Sequence, residues 1–275
     1  MNNQIDIGRV VSQVFEIYRD QAGVLLPAAL VVFVVEGLIS GILVAISFAL
    51  ILVALIVQIV ATTLYQGMVV QVVADVQDGR RDATVGDILN SVTGAVLPLI
   101  GAGLLAGLGI AIGFILLIIP GLFLLTIWSV VAPVVVLERP GVVAALGRSR
   151  ELVRGNGWQV FGTIILFFLI LVVAGAIIGA IGAAAGDAGR VVADIVSSVL
   201  FAPLVALAAS VLYFNLRQVK GEGAPPAHAV GLEGAPAAQP PGAPQPGAPA
   251  PDPTRPEAPP APGEQPPPGP PPAQP

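Results

Sequence analysis

The feature that most constrains this chain is the run over residues 88–137, 50 consecutive positions without one Asp, Glu, Lys or Arg. A charge at the centre of a bilayer costs roughly 2.5 to 3.5 kcal/mol even on the lenient insertion scale, so charge-free length is a ruler for membrane spans. A spanning helix needs about 20 apolar residues, and the run is therefore long enough for two. Residues 23–74 form a second such stretch, 52 residues whose only charge is Glu36. Two further charge-free stretches, 32 residues over 155–186 and 22 over 195–216, are each long enough for one span. The sequence thus predicts an all-α integral membrane protein with six transmembrane helices, near 23–44, 50–74, 94–116, 119–137, 159–183 and 194–216.

These runs are apolar on every side, which excludes a transmembrane β-barrel built from short strands of alternating polarity. Gly37, Ser40 and Gly41 are the expected reversal of the first hairpin, and Pro120-Gly121 that of the second. A mean hydropathy of +0.89, with 55% hydrophobic against 11% charged residues, agrees with a chain that lives in lipid.

The few charges set orientation. Arg9 and Arg19 precede the first span, Arg80 and Arg81 follow the second, and Arg139, Arg148, Arg150 and Arg154 lie between the fourth and fifth. Arg217 and Lys220 follow the sixth, and Arg190 is the one basic residue on the opposite side. The positive-inside rule then places both termini in the cytoplasm of a bacterial plasma membrane. Residues 1–220 carry 11 basic and 12 acidic side chains, while residues 221–275 carry Arg255 against Glu222, Glu233, Asp252, Glu257 and Glu264. Neither part has the clustered basic surface that a nucleic-acid partner requires. The absence of cysteine removes disulfides, thiolate metal sites and cysteine nucleophiles together.

The spans also suggest repetition. Ahead of the first, Ile7, Val10, Val11, Val14, Phe15 and Tyr18 share one helical face, opposite Arg9, Ser12, Gln13, Glu16 and Arg19. Val85, Ile88, Leu89 and Val92 make a shorter version ahead of the third. Val142, Val143, Leu146 and Val153 make another ahead of the fifth, with Arg148, Glu151 and Arg154 on its wet side. The expected plan is three parallel units, each an interfacial amphipathic helix followed by a hairpin. The competing explanation is that any six-span protein with cytoplasmic termini has amphipathic joints.

The segment containing Pro120-Gly121, Pro133, Glu138, Gly141, Ala145, Arg148-Ser149, Leu152, Gly155 and Trp158 resembles the signature of membrane proteins akin to the membrane domain of glycerophosphoryl diester phosphodiesterase. That group includes uncharacterised actinobacterial proteins with Pro/Gly-rich tails. The amphipathic start is similar to the beginning of the same family, and the resemblance covers about residues 5–220. It implies a six-helix membrane domain. The catalytic barrel of the namesake does not carry over, because outside the spans too little chain is left to build one.

Searching for chemistry yields little. The sole lysine, Lys220, belongs to no phosphate-binding loop, the sole histidine, His228, sits in the tail, and residues 1–220 hold no histidine-carboxylate cluster and no Gly-x-Ser-x-Gly elbow. No catalytic residue, cofactor or metal is therefore expected, and the chain is expected not to be an enzyme. Glu36, the one acid inside the apolar runs, is a candidate for proton or cation handling. The favoured reading instead ends the first span near Glu36 and leaves its carboxylate among outer headgroups. Glu138, Arg148, Glu151 and Arg154 are expected to form a cytoplasmic charge cluster that fixes the third amphipathic helix, with lipid phosphate contact as the alternative.

Glycines at four-residue spacing, among them Gly103 and Gly107, Gly175 and Gly179, and Gly37 and Gly41, are candidates for close helix packing within the monomer or between copies. Gln58, Gln66 and Gln71 are read as helix glue, with a polar path as the alternative. Pro, Ala and Gly make up 41 of the 55 residues over 221–275, a composition that buries no core and predicts a disordered tail. The tail is a spacer or a docking segment for a protein partner. The leading expectation is a structural or partner-binding component of the membrane. The rivals are a small-molecule or lipid transporter and a membrane subunit that supports a separate enzyme.

Overall fold

In the computed structural model the described residues are 5–77 and 85–222, and every regular element among them is helical. The order is α1 (Ile7–Asp20), α2 (Ala22–Ile46), α3 (Ile51–Gln77), α4 (Val85–Leu116), α5 (Ile118–Ile127), α6 (Val131–Glu138), α7 (Val142–Val153), α8 (Gly157–Ala184) and α9 (Gly186–Val219), with a single 3-10 turn at Phe48–Leu50. Six stretches are long and apolar enough to cross a membrane: Ala22–Leu43, Phe48–Gln77, Gly94–Leu116, Ile118–Glu138, Gly157–Ala184 and Gly186–Val219. Each coincides with an expected span to within a few residues, except that the sixth begins eight residues earlier. The side chains over 85–93 and everything from 223 onward lie outside the described residues. The amphipathic pattern at Val85, Ile88, Leu89 and Val92 and the expectations for the tail therefore fall there too.

The hairpins turn at places other than those expected. α2 passes through Gly37, Ser40 and Gly41 and runs on to Ile46. Extended backbone at Ser47 (φ −161°, ψ 133°) then ends it, and the Ser47 hydroxyl accepts from the Ala49 N–H at 3.2 Å. Glycine does not stop a helix in hydrocarbon, because no water is present to take over the freed backbone groups. The second reversal is at Leu117 (φ −165°, ψ 149°), and Pro120-Gly121 lies in the first turn of α5. Proline is tolerated there because the first-turn N–H groups have no intrahelical partner to lose.

The fourth span is interrupted. Helical backbone bonding lapses over Trp128, Ser129 and Val130 between α5 and α6. The Ser149 hydroxyl, from α7, donates to the Ile127 carbonyl at 2.8 Å, and the Thr126 hydroxyl donates to the Leu122 carbonyl at 2.7 Å. The break is thus partly covered by a neighbouring helix.

Burial is concentrated at the end of the bundle where α1, α6, α7 and the second half of α9 meet. Along α9 the buried positions are Ala193 and then a dense set from Pro203 to Arg217; along α3 they are Ala54 and then a set from Tyr65 to Ala74. α1 buries Val10, Val14 and Ile17, stacks Phe15 on Phe167 of α8 with ring centroids 6.3 Å apart, and accepts through Gln13 from the Asn215 amide at 2.9 Å. Its apolar face is therefore covered by protein, from α8 and α9, where the sequence pattern suggested a helix lying on lipid. α7 packs on α4 and α6. The segment ahead of the third span is no separate helix, since α4 runs unbroken from Val85 through Pro98.

Candidate functional site

At the basic end, side chains from α7 and α9 converge on Glu138 of α6, and a further acid from beyond α9 joins them. Glu138 is the last residue of α6, and the left-handed backbone of Arg139 (φ 49°) turns the chain into α7. One turn and a half into α7, Arg148 donates through Nε to Glu138 Oε2 at 2.8 Å and through Nη2 to Oε1 at 3.4 Å. From α9, Arg217 Nη1 reaches Glu138 Oε1 at 3.2 Å and the Tyr213 hydroxyl at 2.8 Å, while that hydroxyl donates to Glu138 Oε1 at 2.8 Å. Tyr213 and Arg217 are four residues apart, hence on one helical face, and the guanidinium carbon lies 5.6 Å from the ring centroid.

A second acid comes from beyond the helix. Gly221 adopts φ 69°, with the Glu222 N–H bonded to the Arg217 carbonyl and the Gly221 N–H to the Gln218 carbonyl, both at 3.0 Å. This is the Schellman arrangement, which needs a left-handed residue that glycine supplies without strain. It folds Glu222 back, so that its carboxylate meets Arg148 Nη2 and lies 3.5 Å from Arg217 Nε.

Two guanidiniums and two carboxylates thus share a site where the Arg217 and Glu138 side chains are only 10% and 13% exposed. Burial by itself disfavours the charge on Arg148, but its hydrogen bonds to Glu138 and Glu222 and their negative field outweigh that and hold it above the ordinary guanidinium value. Arg148 also contacts the exposed Glu151 at 3.3 Å.

Of the expected cluster, the structure brings Glu138, Arg148 and Glu151 together. Arg154 stands apart, on the far end of α7, with no ion pair to any described residue. Sequence reading missed Tyr213, Arg217 and Glu222 as members. The available signals were the four-residue spacing of Tyr213 and Arg217 and a glycine placed directly after the helix-ending Lys220.

Glu36 lies within the first span. The apolar stretch Ala22–Leu43 continues seven residues beyond it, about 10 Å at 1.5 Å per residue. The carboxylate is half-buried and accepts from the Ser40 hydroxyl at 2.8 Å, one turn away. Gln58 on α3 stands about as far from the Ser47 turn as Glu36 does on α2, and it is exposed. Gln71 is buried, with its amide nitrogen lacking a partner.

The glycines divide sharply. A Cβ at Gly103, Gly107, Gly179, Gly37 or Gly41 would meet nothing within 4 Å, and one at Gly175 would only touch Phe201 at 3.4 Å. The close approaches are elsewhere. A Cβ at Gly113 would come to 3.0 Å from the Gly121 backbone, one at Gly109 to 2.6 Å from the Trp128 ring, and one at Gly182 would run into Ala193 and Gly189 where α8 and α9 turn. Among the described residues, no group of three or more His, Cys, Asp or Glu is placed to hold a metal ion.

Six apolar helices of spanning length define a multi-pass membrane protein. No family model, curated protein or solved structure matches the chain.

Proposed function

We propose that the protein is a non-catalytic component of a bacterial plasma membrane, with both termini cytoplasmic, that presents a rigid cytoplasmic platform to a protein partner. One observation supports this above the others: the Glu138, Arg148, Arg217 and Glu222 charges are committed to one another in a half-dry site that ties α6, α7 and α9 together. Charges so neutralised are poor acids, bases or ligands but good fasteners. They hold the densest packing of the molecule at the end that the Arg and Lys placement assigns to the cytoplasm, and the chain over 223–275 departs from that fastener at Glu222. α1 docks on the third hairpin and α7 on the second, as two of the three expected units require, while the unit of the third span has no separate amphipathic helix. The resemblance to the phosphodiesterase membrane domain fits a membrane subunit that works beside a separate protein.

Glu36 supports a second reading, a transporter, because a carboxylate inside a stretch apolar enough to span a membrane is costly unless it is used. Single cysteines at positions 36, 58 and 47, in a chain with none of its own, separate the two readings. Reaction of 47 alone with a membrane-impermeant thiol reagent is the result expected of the platform. Reaction of 36 and 58 reveals a water-filled path and favours transport. Cross-linking in cells that requires residues 223–275 tests the partner directly.

A further inference from the structure

A groove of about 550 Å³ lies between α5 and the junction of α7 with α8, on the side of α7 away from Glu138. Its polar wall is Arg150 and Arg154, four residues apart on α7, and its apolar wall is Phe123, Ile127 and Val153. Both guanidiniums are exposed, and neither has a hydrogen-bond or ion-pair partner among the described residues. Glu151 also lines the groove, but its carboxylate is engaged by Arg148 at 3.3 Å.

The start of α8 opens on the same groove at Gly157, and its first turn has no side-chain cap. Asn156, placed to cap it, accepts instead from the Ile5 N–H at 3.3 Å. Gly157, the first residue of a 28-residue helix without a side-chain cap, thus lines the groove together with two cations that have no partner among the described residues. That combination calls for an anion with several acceptor oxygens.

The apolar wall says what else the ligand carries. Phe123 is 58% exposed beside the groove, and Trp158, next to the groove-lining Gly157, is 83% exposed. An aromatic so placed at the start of a spanning helix marks the lipid boundary. We propose that this groove binds the phosphate headgroup of an anionic phospholipid. Arg150, Arg154 and the first turn of α8 hold the phosphate, and Phe123 and Ile127 run along the acyl chains. The site is distinct from the Glu138 cluster, whose guanidiniums are already occupied.

The test uses the full chain in a neutral detergent, titrated with short-chain phosphatidylglycerol, short-chain phosphatidylcholine and inorganic phosphate. Thermal stabilisation and tryptophan fluorescence, to which Trp128 and Trp158 both contribute, are the readouts. Phosphatidylglycerol is expected to stabilise the protein and shift the fluorescence at concentrations where the other two do neither. The double variant R150Q/R154Q removes no contact within the described fold, so its unliganded melting temperature stays unchanged while its affinity for phosphatidylglycerol falls at least about tenfold. The variant R9Q/R19Q, with the same loss of charge elsewhere, keeps the wild-type affinity. Equal stabilisation by inorganic phosphate would make this a free-phosphate site and overturn the lipid proposal. Undiminished binding by R150Q/R154Q, or an equal loss in R9Q/R19Q, would overturn it as well.

Discussion

Arg217 Nη1 stands 3.2 Å from Glu138 Oε1, joining the last turn of α9 to the last residue of α6 across 79 positions of sequence. Arg148 binds the same carboxylate from α7. Glu138 is therefore the one acid that all three helices share, and its removal leaves Glu222 as the one carboxylate in contact with both guanidiniums. Glu138→Gln is expected to destabilise the protein by about 1–3 kcal/mol, the cost of weakening charged hydrogen bonds in a half-buried site where Glu222 still pairs with both arginines. A thermal melt in detergent measures it. A melting temperature within a degree of wild type would show that the cluster holds nothing together.

The turn at Gly221 carries its own expectation. Gly221→Ala places a Cβ on a left-handed residue, at about 1–2 kcal/mol, and pulls Glu222 away from Arg148 and Arg217. Glu222→Ala removes the carboxylate and leaves the turn intact. Measured side by side, Gly221→Ala should cost the more of the two; a smaller loss for Gly221→Ala would mean that Glu222 reaches the guanidiniums without this turn.

Close packing is concentrated at Gly113 and Gly121 and is absent at Gly37 and Gly107. Gly121→Ala drives a methyl to 2.5 Å from the Phe114 ring, and overpacking of this kind costs about 1–3 kcal/mol. Gly37→Ala and Gly107→Ala should leave the melting temperature of the monomer unchanged. If either one lowers it as much as Gly121→Ala does, a second copy of the chain covers that face.

α1 is held by side chains that have no exposure at all: Val10 and Val14 are each 0% exposed. Val14→Ala should cost about 1–2 kcal/mol through the cavity it leaves. Val14→Asp should detach α1, which limited proteolysis would detect as new cleavage within residues 7–20. Continued protection in Val14→Asp would mean that Phe15 and Gln13 suffice to dock the helix.

The spans were legible because a bilayer prices every charge by depth, and 50 residues without one leave little choice of architecture. What the sequence hid is local. Gly37, Ser40 and Gly41 look like a stop by the rules of water, yet α2 continues through them to Ile46. The Glu138–Arg148–Glu151 part of the cluster was readable from proximity in sequence. Arg217 and Glu222 were not, because the change of composition at residue 221 draws the eye to a boundary, whereas the chain folds back there. α1 shows the same limit: amphipathicity revealed that one face must be covered but not that α8 and α9 cover it.

The interruption at Trp128–Val130 bears on how the protein is made. A stretch with unpaired carbonyls cannot rest in hydrocarbon alone, and here the Ile127 carbonyl finds its donor in Ser149, a residue synthesised twenty-two positions later. The fourth segment therefore completes its backbone bonding only with a residue outside itself, and the translated span and the finished span differ by this one hydroxyl.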